Sequence, residues 1–330
     1  MTLLPSFPAN GVFSLDEREF VPRALDIFRF QYAQNPLYRD FVRSLGAGPE
    51  SVGRIEDIPF LPVGFFKTCS VRTSEFLPEI TFESSGTTGQ AQSRHPVKDL
   101  DVYKASYRSG FSFFYGPVEG WCIIGLLPAY LERSHSSLVF MVDDLIRLSA
   151  HPDSGFYLYD HERLLEVLQR LEAAGQKTLL IGVTFALLDF AEHHQLSLQH
   201  TIVMETGGMK GRRREVTREE LHAVLRNQLG VPSVHAEYGM TELLSQAYSP
   251  GEGLFRCPPW MRVLVRSEDD PLEVASAGNG LVNIIDLANI WSCAFLATDD
   301  IGRVRPDGGF EVLGRCDNSD VRGCSLMVGA

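Results

Sequence analysis

A short stretch rich in hydroxyl side chains and glycine, from Ser84 to Gly89, is the part of the sequence best suited to chemistry. Glycines let the backbone approach a ligand closely, and successive N–H groups then form a concave nest for an anion, to which hydroxyls donate further hydrogen bonds. The stretch predicts a polyphosphate site, although a polar surface turn has a similar composition and no Walker GK[ST] sequence follows. The residues concerned are Ser84, Ser85, Gly86, Thr87, Thr88 and Gly89.

Two segments further along could complete such a site. Glu205–Gly211 follows an apolar run, and glycines at the end of a strand let a flat ring lie against the backbone, although an ordinary strand-to-helix turn looks the same. His235–Glu242 supplies the ring of Tyr238, the hydroxyl of Thr241 and the carboxylate of Glu242, an oxygen ligand that suits Mg²⁺. The alternative for this second segment is a helix start capped by Thr241.

Two distal segments carry charge. Thr298–Gly302 has two adjacent carboxylates that could bind ribose hydroxyls or a cation, but a surface β-turn is equally compatible with the pattern. Gly314–Ser325 contains Arg315 and Arg322, which could supply positive charge to a phosphate; the alternative is a polar loop with paired charges.

Composition and charge disfavour several classes of function. The chain has 330 residues, 44% of them hydrophobic and 22% charged, as in ordinary globular proteins, and its formal net charge of −12 disfavours nucleic acid and anionic lipid. No signal peptide and no apolar window of membrane-spanning length is present, so no membrane span is expected. The cysteines are dispersed without a CxxC pair, which predicts reduced thiols and a cytoplasmic location. They are Cys69, Cys122, Cys257, Cys293, Cys316 and Cys324.

Periodicity and capping signals predict alternating helices and strands, and hence an α/β fold. The predicted helices are Ser14–Phe41, Lys98–Tyr115, His161–Ala174 capped by Asp160, and one that starts at the Thr217/Glu220 capping box and ends at Gly230. The predicted buried strands are Ile123–Leu127, Lys177–Val183 and Val231–His235, and from Pro259 onward short runs indicate β structure at Met261–Arg266, Gly280–Asp286, Gly302–Arg305 and Phe310–Leu313.

The order and spacing of the five chemical segments resemble the adenylate-forming enzymes, which include acyl-CoA synthetases, peptide-synthetase adenylation domains and luciferases. The motifs SSGTTG, TGGMKG, EYGMTE, TDDIG and GRCD run in that order from Ser84 to Asp317. A closer resemblance, to the acyl-protein synthetase of the bacterial bioluminescence fatty-acid reductase complex, is carried by four segments. They are Pro59–Lys67, Leu126–Val139, the GGMKG segment and the ending GRCDNSDVRGCSL.

The resemblance implies the N-terminal domain architecture of that superfamily: mixed sheets flanked by helices and a β-rich distal part, without the full C-terminal lid that supplies a catalytic lysine. We expect a single catalytic domain, 1–330, with a possible α/β sub-lobe 1–255 and a β-rich sub-lobe 256–330 that carries the C-terminal cysteine segment.

The same resemblance implies a role for each matching residue. The loop cradles the phosphates of ATP, Asp300 rather than Asp299 binds ribose, and Arg315 contacts ribose or phosphate. Cys324, in the context RGCS, accepts the acyl group, with Arg322 lowering its pKa and Cys316 as the competing thiol. The remaining roles fall to Gly207 and Gly208 beside adenine, Tyr238 with Gly239 packing on adenine, Thr241 on the α-phosphate, and Glu242 on Mg²⁺.

The implied function is ATP- and Mg²⁺-dependent activation of a carboxylic acid, expected to be a fatty acid, followed by transfer to a cysteine for delivery to an acyl-CoA-reductase-like or other acyl-transferring protein. Two alternatives stay open. One is a ligase that transfers directly to CoA, a carrier protein or an amine, and the other is an inactive nucleotide-binding scaffold subunit.

Overall fold

The computed structural model describes residues 9–85, 91–127, 134–207 and 217–316. The chain forms two compact units that alternate along the sequence, so neither unit is one continuous segment. The predicted division into a sub-lobe 1–255 and a sub-lobe 256–330 stays a prediction. As far as they are described, the first unit contains Met1–Gly110, Gly239–Ala247 and Arg256–Val312, and the second contains Phe111–Tyr238, Tyr248–Phe255 and Leu313–Ala330.

Within the described residues, the elements are short and numerous. The α-helices are α1 (Phe20–Gln34), α2 (Pro36–Ser44), α3 (Phe65–Thr68), α4 (Leu100–Tyr115), α5 (Ser137–Ser149), α6 (His161–Ala173), α7 (Thr184–His193) and α8 (Arg218–Leu229). The strands are β1 (Leu61–Pro62), β2 (Ile80–Glu83), β3 (Arg94–Val97), β4 (Cys122–Leu126), β5 (Gly155–Phe156), β6 (Thr178–Gly182), β7 (Thr201–Glu205), β8 (Val234–Tyr238), β9 (Ala247–Ser249), β10 (Met261–Arg266), β11 (Val274–Ala275), β12 (Gly278–Asp286), β13 (Phe295–Val304) and β14 (Phe310–Arg315).

The second unit is built on a parallel sheet. Its strands lie in the order β5-β4-β6-β7-β8-β9, and the pairs from β5 to β8 are parallel. Every residue of β4 and β6 is buried, as expected for strands covered on both faces. Because all these strands run the same way, the residues that follow β7 and β8 emerge at the same edge of the sheet, where ligands of open α/β sheets bind.

The first unit is built on a mostly antiparallel sheet in the order β1-β13-β12-β10-β11, with β14 beside β13 and a separate hairpin, β2–β3. Helix α1 buries Phe20, Ala24, Ile27 and Phe28, which share one face by their spacing. The buried Gln31 then ties this helix to the chain after β12, because its amide donates to the carbonyl of Asn289 (2.9 Å) and its amide oxygen accepts from the N–H of Ala294 (3.0 Å).

Several predicted elements agree with the structure to within two residues at each end, and three predictions differ by more. The stretch Ser14–Phe41, predicted as one helix, is split because Pro36 disfavours helical geometry at the residue before it; Asn35 ends α1 and caps α2 with its side chain (3.0 Å to Tyr38 N). Strand β8 begins three residues later than predicted, since Pro232 cannot donate to a strand ladder. The predicted strand at Gly302 is the end of β13, which starts at Phe295.

Candidate functional site

The hairpin β2–β3 positions the start of the Ser/Thr/Gly loop. The N–H of Ser84 donates to the carbonyl of Ser93 (3.0 Å), and the N–H of Ser93 donates back to the hydroxyl oxygen of Ser84 (2.9 Å), so the hairpin closes at this pair. Ser84 is buried and Ser85 is half-buried. The predicted site residues Gly86, Thr87, Thr88 and Gly89 lie outside the described residues.

A tight turn in the first unit holds Thr241 and Glu242. It follows β8 and closes with a hydrogen bond from the N–H of Leu243 to the carbonyl of Met240 (3.0 Å). Glu242 is buried, and its carbonyl accepts from the side-chain amide of Asn289 (2.8 Å). The segment is therefore the end of a strand plus a turn, and the alternative of a helix start capped by Thr241 is wrong.

His95 connects the loop hairpin to this turn. Its Nδ1 lies 2.8 Å from the carbonyl oxygen of Thr241, and its Nε2 lies 2.9 Å from the hydroxyl of Ser292. A carbonyl only accepts, so Nδ1 carries the proton, and in the neutral ring Nε2 accepts from Ser292. Burial lowers the pKa of His95 to about 4, which keeps the ring neutral at pH 7.

Asp286 anchors the other end of the same turn. Its Oδ2 accepts from the N–H groups of Leu244 (2.8 Å) and Ser245 (3.0 Å), and its Oδ1 accepts from the hydroxyl of Ser245 (2.6 Å). Burial raises the pKa of Asp286, and these hydrogen bonds oppose that rise. Together with His95 and Asn289, Asp286 fixes the main chain on both sides of Glu242.

The two adjacent aspartates of the fourth motif lie on opposite faces of β13. Asp299 is exposed, whereas Asp300 is buried and its N–H donates to the hydroxyl oxygen of Thr298 (3.1 Å). The carbonyl of Thr298 in turn accepts from the guanidinium of the buried Arg266 (2.6 Å). The segment is strand and not the surface β-turn that the sequence also allowed, because each residue continues the alternation of a sheet strand.

In the second unit, a buried carboxylate shapes the turn after β7. Oε2 of Glu205 accepts from the N–H of Gly207 (2.7 Å), and its Oε1 lies 3.7 Å from the guanidinium of Arg218. Gly207 has φ = +72°, a conformation that favours glycine. The carbonyl of Gly207 accepts from the N–H of Thr184 (3.1 Å), which ties this turn to the start of α7. Gly208, also predicted beside adenine, lies outside the described residues.

Tyr238 ends β8 and lies in the same unit as Gly207. It is half-buried, and its ring meets that of Phe255 at 5.8 Å between centroids. The preceding Glu237 has a pKa raised to about 8, first by burial and then by the charge of Glu205 on the neighbouring strand. Gly239, which follows Tyr238, is exposed.

The C-terminal site residues are only partly within the structure. Arg315 ends β14 and is half-buried, and Cys316 follows with its thiol half-exposed. Cys324, predicted as the acyl acceptor, and Arg322 lie outside the described residues. In the four described ranges, no three His, Cys, Asp or Glu side chains cluster as a metal site.

Sequence reasoning missed the residues that hold these turns, namely His95, Asp286, Asn289 and Glu205. A signal exists for two of them, because Asp286 and Asn289 are polar residues inside the apolar run from Leu281 to Ile290. A polar residue there must be buried and hydrogen-bonded. His95 has no comparable local signal, since its partner Thr241 is 146 positions away.

Solved structures of adenylate-forming enzymes share this fold. ATP-bound MatB from Rhodopseudomonas palustris matches with a TM-score of 0.53 at 16% identity, over 85% of this chain and 58% of that chain. O-succinylbenzoate coenzyme A synthetase (MenE) from Bacillus subtilis, in complex with ATP and magnesium ion, matches with a TM-score of 0.51 at 18% identity, over 74% of this chain and 51% of that chain. The chain thus spans less than two thirds of these structures. The predicted α/β architecture of the adenylate-forming enzymes is confirmed.

The curated relatives are more specific. The chain is 24% identical to the long-chain-fatty-acid–luciferin-component ligase of Vibrio harveyi, over 91% of its own length and 85% of the relative. It is 21% identical to the protein of the same name from Aliivibrio fischeri, over 92% of its length and 86% of the relative. No protein-family model matches. These two relatives confirm the resemblance that the motifs predicted, because both are named as long-chain-fatty-acid ligases.

Proposed function

We propose that the protein is an ATP-dependent acid–thiol ligase that activates a carboxylic acid, of the long-chain fatty type, as an acyl-adenylate. The observation that carries the proposal is the anchored turn with Thr241 and Glu242, held by His95, Asn289 and Asp286. A turn fixed in advance places a hydroxyl and a carboxylate without reorganisation when the reaction occurs. The similarity to two ligases over nine tenths of the chain supports the assignment.

The residues fit a magnesium ion that arrives with ATP. Mg²⁺ binds through one or two carboxylates plus phosphates and water, rather than in a cage made wholly of protein ligands. The buried Glu242 can therefore serve as its ligand without a cluster of further carboxylates. When bound, Mg²⁺ neutralises charge on the phosphates.

The proposed first step is an in-line displacement. A carboxylate oxygen of the acid attacks the α-phosphorus of ATP, the bond from that phosphorus to the pyrophosphate oxygen breaks, and acyl-adenylate and pyrophosphate result. Ser84, Ser85 and the loop after them would hold the phosphates, Thr241 would contact the α-phosphate, and Asp300 would accept from ribose hydroxyls. Gly207 and Tyr238, with the neighbouring Gly208, would border adenine, and Arg315 would contact ribose or phosphate.

The proposed second step transfers the acyl group to a thiol. A thiolate attacks the acyl carbon, the bond to AMP breaks, and AMP leaves as the thioester forms. Cys324 is the proposed acceptor and Cys316 is the competing thiol. Delivery to an acyl-CoA-reductase-like partner would follow. The cytoplasmic location predicted from the dispersed cysteines stays a prediction, and among the described residues no helix combines the length and apolarity that crossing a membrane requires.

Acid-dependent exchange of pyrophosphate into ATP tests the first step. We expect exchange with fatty acids of one range of lengths, and we expect Glu242→Gln to lower its rate by roughly 10²-fold or more, because a ligand to the phosphate-bound cation is lost. Glu268→Gln, an exposed residue of the same unit, is the matched control. Absence of exchange with every acid, together with intact ATP binding, would favour the inactive scaffold instead.

Intact mass measurement tests the second step. After incubation with acid and MgATP, we expect an acyl adduct on the wild type and on Cys316→Ser, and none on Cys324→Ser. Exchange without any adduct would indicate direct transfer to an external acceptor such as CoA or a carrier protein.

A further inference from the structure

The connection between β12 and β13, residues 287–294, is buried except for the half-exposed Trp291, although it forms no helix or strand. Its main-chain groups need hydrogen-bond partners inside the protein, because water does not reach them. Two amides at the C-terminal end of α1, Gln31 and Asn35, supply several of these partners, and both side chains are completely buried. The N–H of Asn35 donates to the carbonyl of Gln31 (2.8 Å), so the last helical turn places the two residues on one face.

Gln31 binds both ends of a bend in this connection. Its amide nitrogen donates to the carbonyls of Asn289 (2.9 Å) and Ile290 (3.1 Å), and its amide oxygen accepts from the N–H of Ala294 (3.0 Å). The side chain of Asn289 then donates to the carbonyl of Glu242 (2.8 Å). A single residue therefore lies between Gln31 and the main chain of Glu242.

Asn35 binds the middle of the same connection. Its amide nitrogen donates to the carbonyl of Ser292 (3.1 Å) and to the hydroxyl oxygen of Thr73 (3.4 Å), and that hydroxyl donates to the same carbonyl (2.6 Å). The hydroxyl of Ser292 donates to Nε2 of His95 (2.9 Å), whose Nδ1 donates to the carbonyl of Thr241 (2.8 Å). Two residues therefore lie between Asn35 and the main chain of Thr241.

The two routes end at consecutive residues of the turn that follows β8, at the carbonyls of Thr241 and Glu242. The connection has no regular pairing of its own to hold it, so these side-chain hydrogen bonds fix where it lies. Every residue of both routes belongs to the first unit. The amides of α1 and the turn are thus joined in one buried hydrogen-bonded network, in which a change at one member moves the others.

We propose that Gln31 and Asn35 are positioning residues of the MgATP site, which act through the β12–β13 connection to hold Thr241 and Glu242 in place. The inference rests on the proposed function, in which Thr241 contacts the α-phosphate and Glu242 binds Mg²⁺. Both amides are completely buried, so they act through the main chain of the turn and not as ligands. Replacing a group that orients a metal ligand typically lowers metal affinity or activity by roughly 10- to 100-fold.

The first test separates magnesium-dependent binding from binding of the nucleotide alone. Isothermal titration calorimetry on the full chain measures the Kd of MgATP and the Kd of ATP with EDTA. Gln31→Met keeps a side chain of similar length and removes the three hydrogen bonds of the amide. We expect the Kd of MgATP to rise by roughly tenfold. The Kd of ATP with EDTA should stay the same within about twofold, since Glu242 contributes only through the cation.

The second test follows the route from Asn35. Asn35→Asp keeps the side-chain oxygen that caps α2 (3.0 Å to the N–H of Tyr38) and removes the donor to the carbonyl of Ser292. In nitrogen NMR of the protein without ligand, the Nε2 resonance of His95 should shift, because its partner is the hydroxyl of Ser292. His95→Phe identifies that resonance by its loss. In pyrophosphate exchange, Asn35→Asp should lower kcat by roughly tenfold and leave the KM of the acid unchanged.

Two variants of the same helix separate positioning from stability. Gln34→Met makes the matched substitution at a half-buried position of α1 and should leave both Kd values unchanged. Ile27→Ala removes packing from the buried face of α1 and should lower the free energy of unfolding without changing the ratio of the two Kd values. Urea unfolding shows that each variant is folded under the conditions of the titration.

The outcomes distinguish this inference from the proposed function. A ratio of Kd values in Gln31→Met equal to that of the wild type, or the same loss in Ile27→Ala, would overturn the positioning role. If Gln31→Met does not fold, Asn35→Asp decides, and an unshifted His95 resonance with unchanged kcat would overturn it. A wild type that binds MgATP without exchange contradicts the ligase reaction, and the Kd values still test the two amides. A wild type that does not bind MgATP at all would overturn both proposals.

Discussion

Two carboxylates lie at the ends of neighbouring strands of the second unit, and the pKa of one of them lies near neutral pH. Glu205 pairs in register with Ala236, which places it next to Glu237 on the adjacent strand. Glu205 gains support from Arg218 and from the N–H of Gly207, and it raises the pKa of Glu237 further after burial has raised it. At pH 7 Glu237 with its pKa of about 8 therefore keeps its proton.

The substitution Glu237→Gln tests this protonation state. The raised pKa means that the folded protein binds more protons than the unfolded chain between about pH 4.5 and pH 8, so the wild type loses stability as the pH rises through that window. Glutamine mimics the protonated side chain, so the variant lacks this loss. Urea unfolding at pH 5, 6, 7 and 8 should show a wild-type free energy of unfolding that falls relative to the variant by up to about 1.4 kcal/mol per pH unit.

Glu268→Gln, at an exposed position, is the control for this measurement. The expected result is a pH dependence identical to that of the wild type. If Glu237→Gln behaved in the same way as the control, Glu237 would be ionised at neutral pH and the assigned pKa would be wrong.

Remote contacts join the hairpin β2–β3 to the turn with Thr241 and Glu242. His95 satisfies a main-chain carbonyl on one side and a hydroxyl on the other, in a region closed to water. Its ring also meets Phe66 edge to face, at 5.4 Å between centroids. The element that carries the loop and the element that carries Glu242 are thus held by one neutral side chain.

Replacing His95 by Phe should separate packing from hydrogen bonding. Phenylalanine fills similar space but leaves the carbonyl of Thr241 and the hydroxyl of Ser292 without a partner, so we expect a loss of about 1–3 kcal/mol in the free energy of unfolding. Denaturant unfolding measures the loss, and His193→Phe at an exposed position of α7 should change stability little. A stable His95→Phe protein with unchanged pyrophosphate exchange would show that this link is dispensable.

Local sequence signals predicted many of the helices and strands correctly. The Thr217/Glu220 capping box forms as predicted and α8 ends at Gly230, whose φ is +65°. Asp160 likewise caps α6 with its side chain. These features depend on neighbours within four positions, which a single sequence displays. Two predicted boundaries were wrong because a proline interrupts the apolar pattern, at Pro36 and at Pro232.

The candidate site depends on long-range contacts that the sequence alone did not predict. The order of the motifs predicted Thr241, Glu242 and Asp300 as site residues. It gave no indication that His95 and Asp286 fix the turn that contains Thr241 and Glu242. Those anchors come from other strands, 146 and 41 positions away from the groups they bind. Such pairs are decided by the packing of the whole unit, so only the fold displays them.

At the scale of the whole molecule, the chain passes between its two units five times, after Gly110, Tyr238, Ala247, Phe255 and Val312. Composition and periodicity predicted the α/β class, because alternation of strands and helices is visible in the sequence. They did not predict that the first unit combines the N-terminal helices with distal strands such as β12 and β13. That grouping arises from sheet pairing between segments far apart in the sequence, including β1 with β13.

Binding of nucleotide should stabilise this molecule as a whole by mass action. At a MgATP concentration of about 100 times its Kd, we expect roughly 2.7 kcal/mol of added stability and a rise of a few degrees in Tm, because the folded form binds the nucleotide and the unfolded chain does not. Differential scanning calorimetry with MgATP, ATP plus EDTA, and Mg²⁺ alone measures the effect.

The same scans on Glu242→Gln decide what the anchored turn contributes. If the Glu242 carboxylate binds Mg²⁺, Glu242→Gln keeps the stabilisation by ATP plus EDTA and loses the additional stabilisation by MgATP. Glu268→Gln should behave as the wild type. Equal shifts for MgATP in Glu242→Gln and the wild type would remove Glu242 from the metal site. An unchanged Tm of the wild type at every nucleotide concentration would go further, because it would exclude both the ligase and the nucleotide-binding scaffold and leave only the fold in common with the adenylate-forming enzymes.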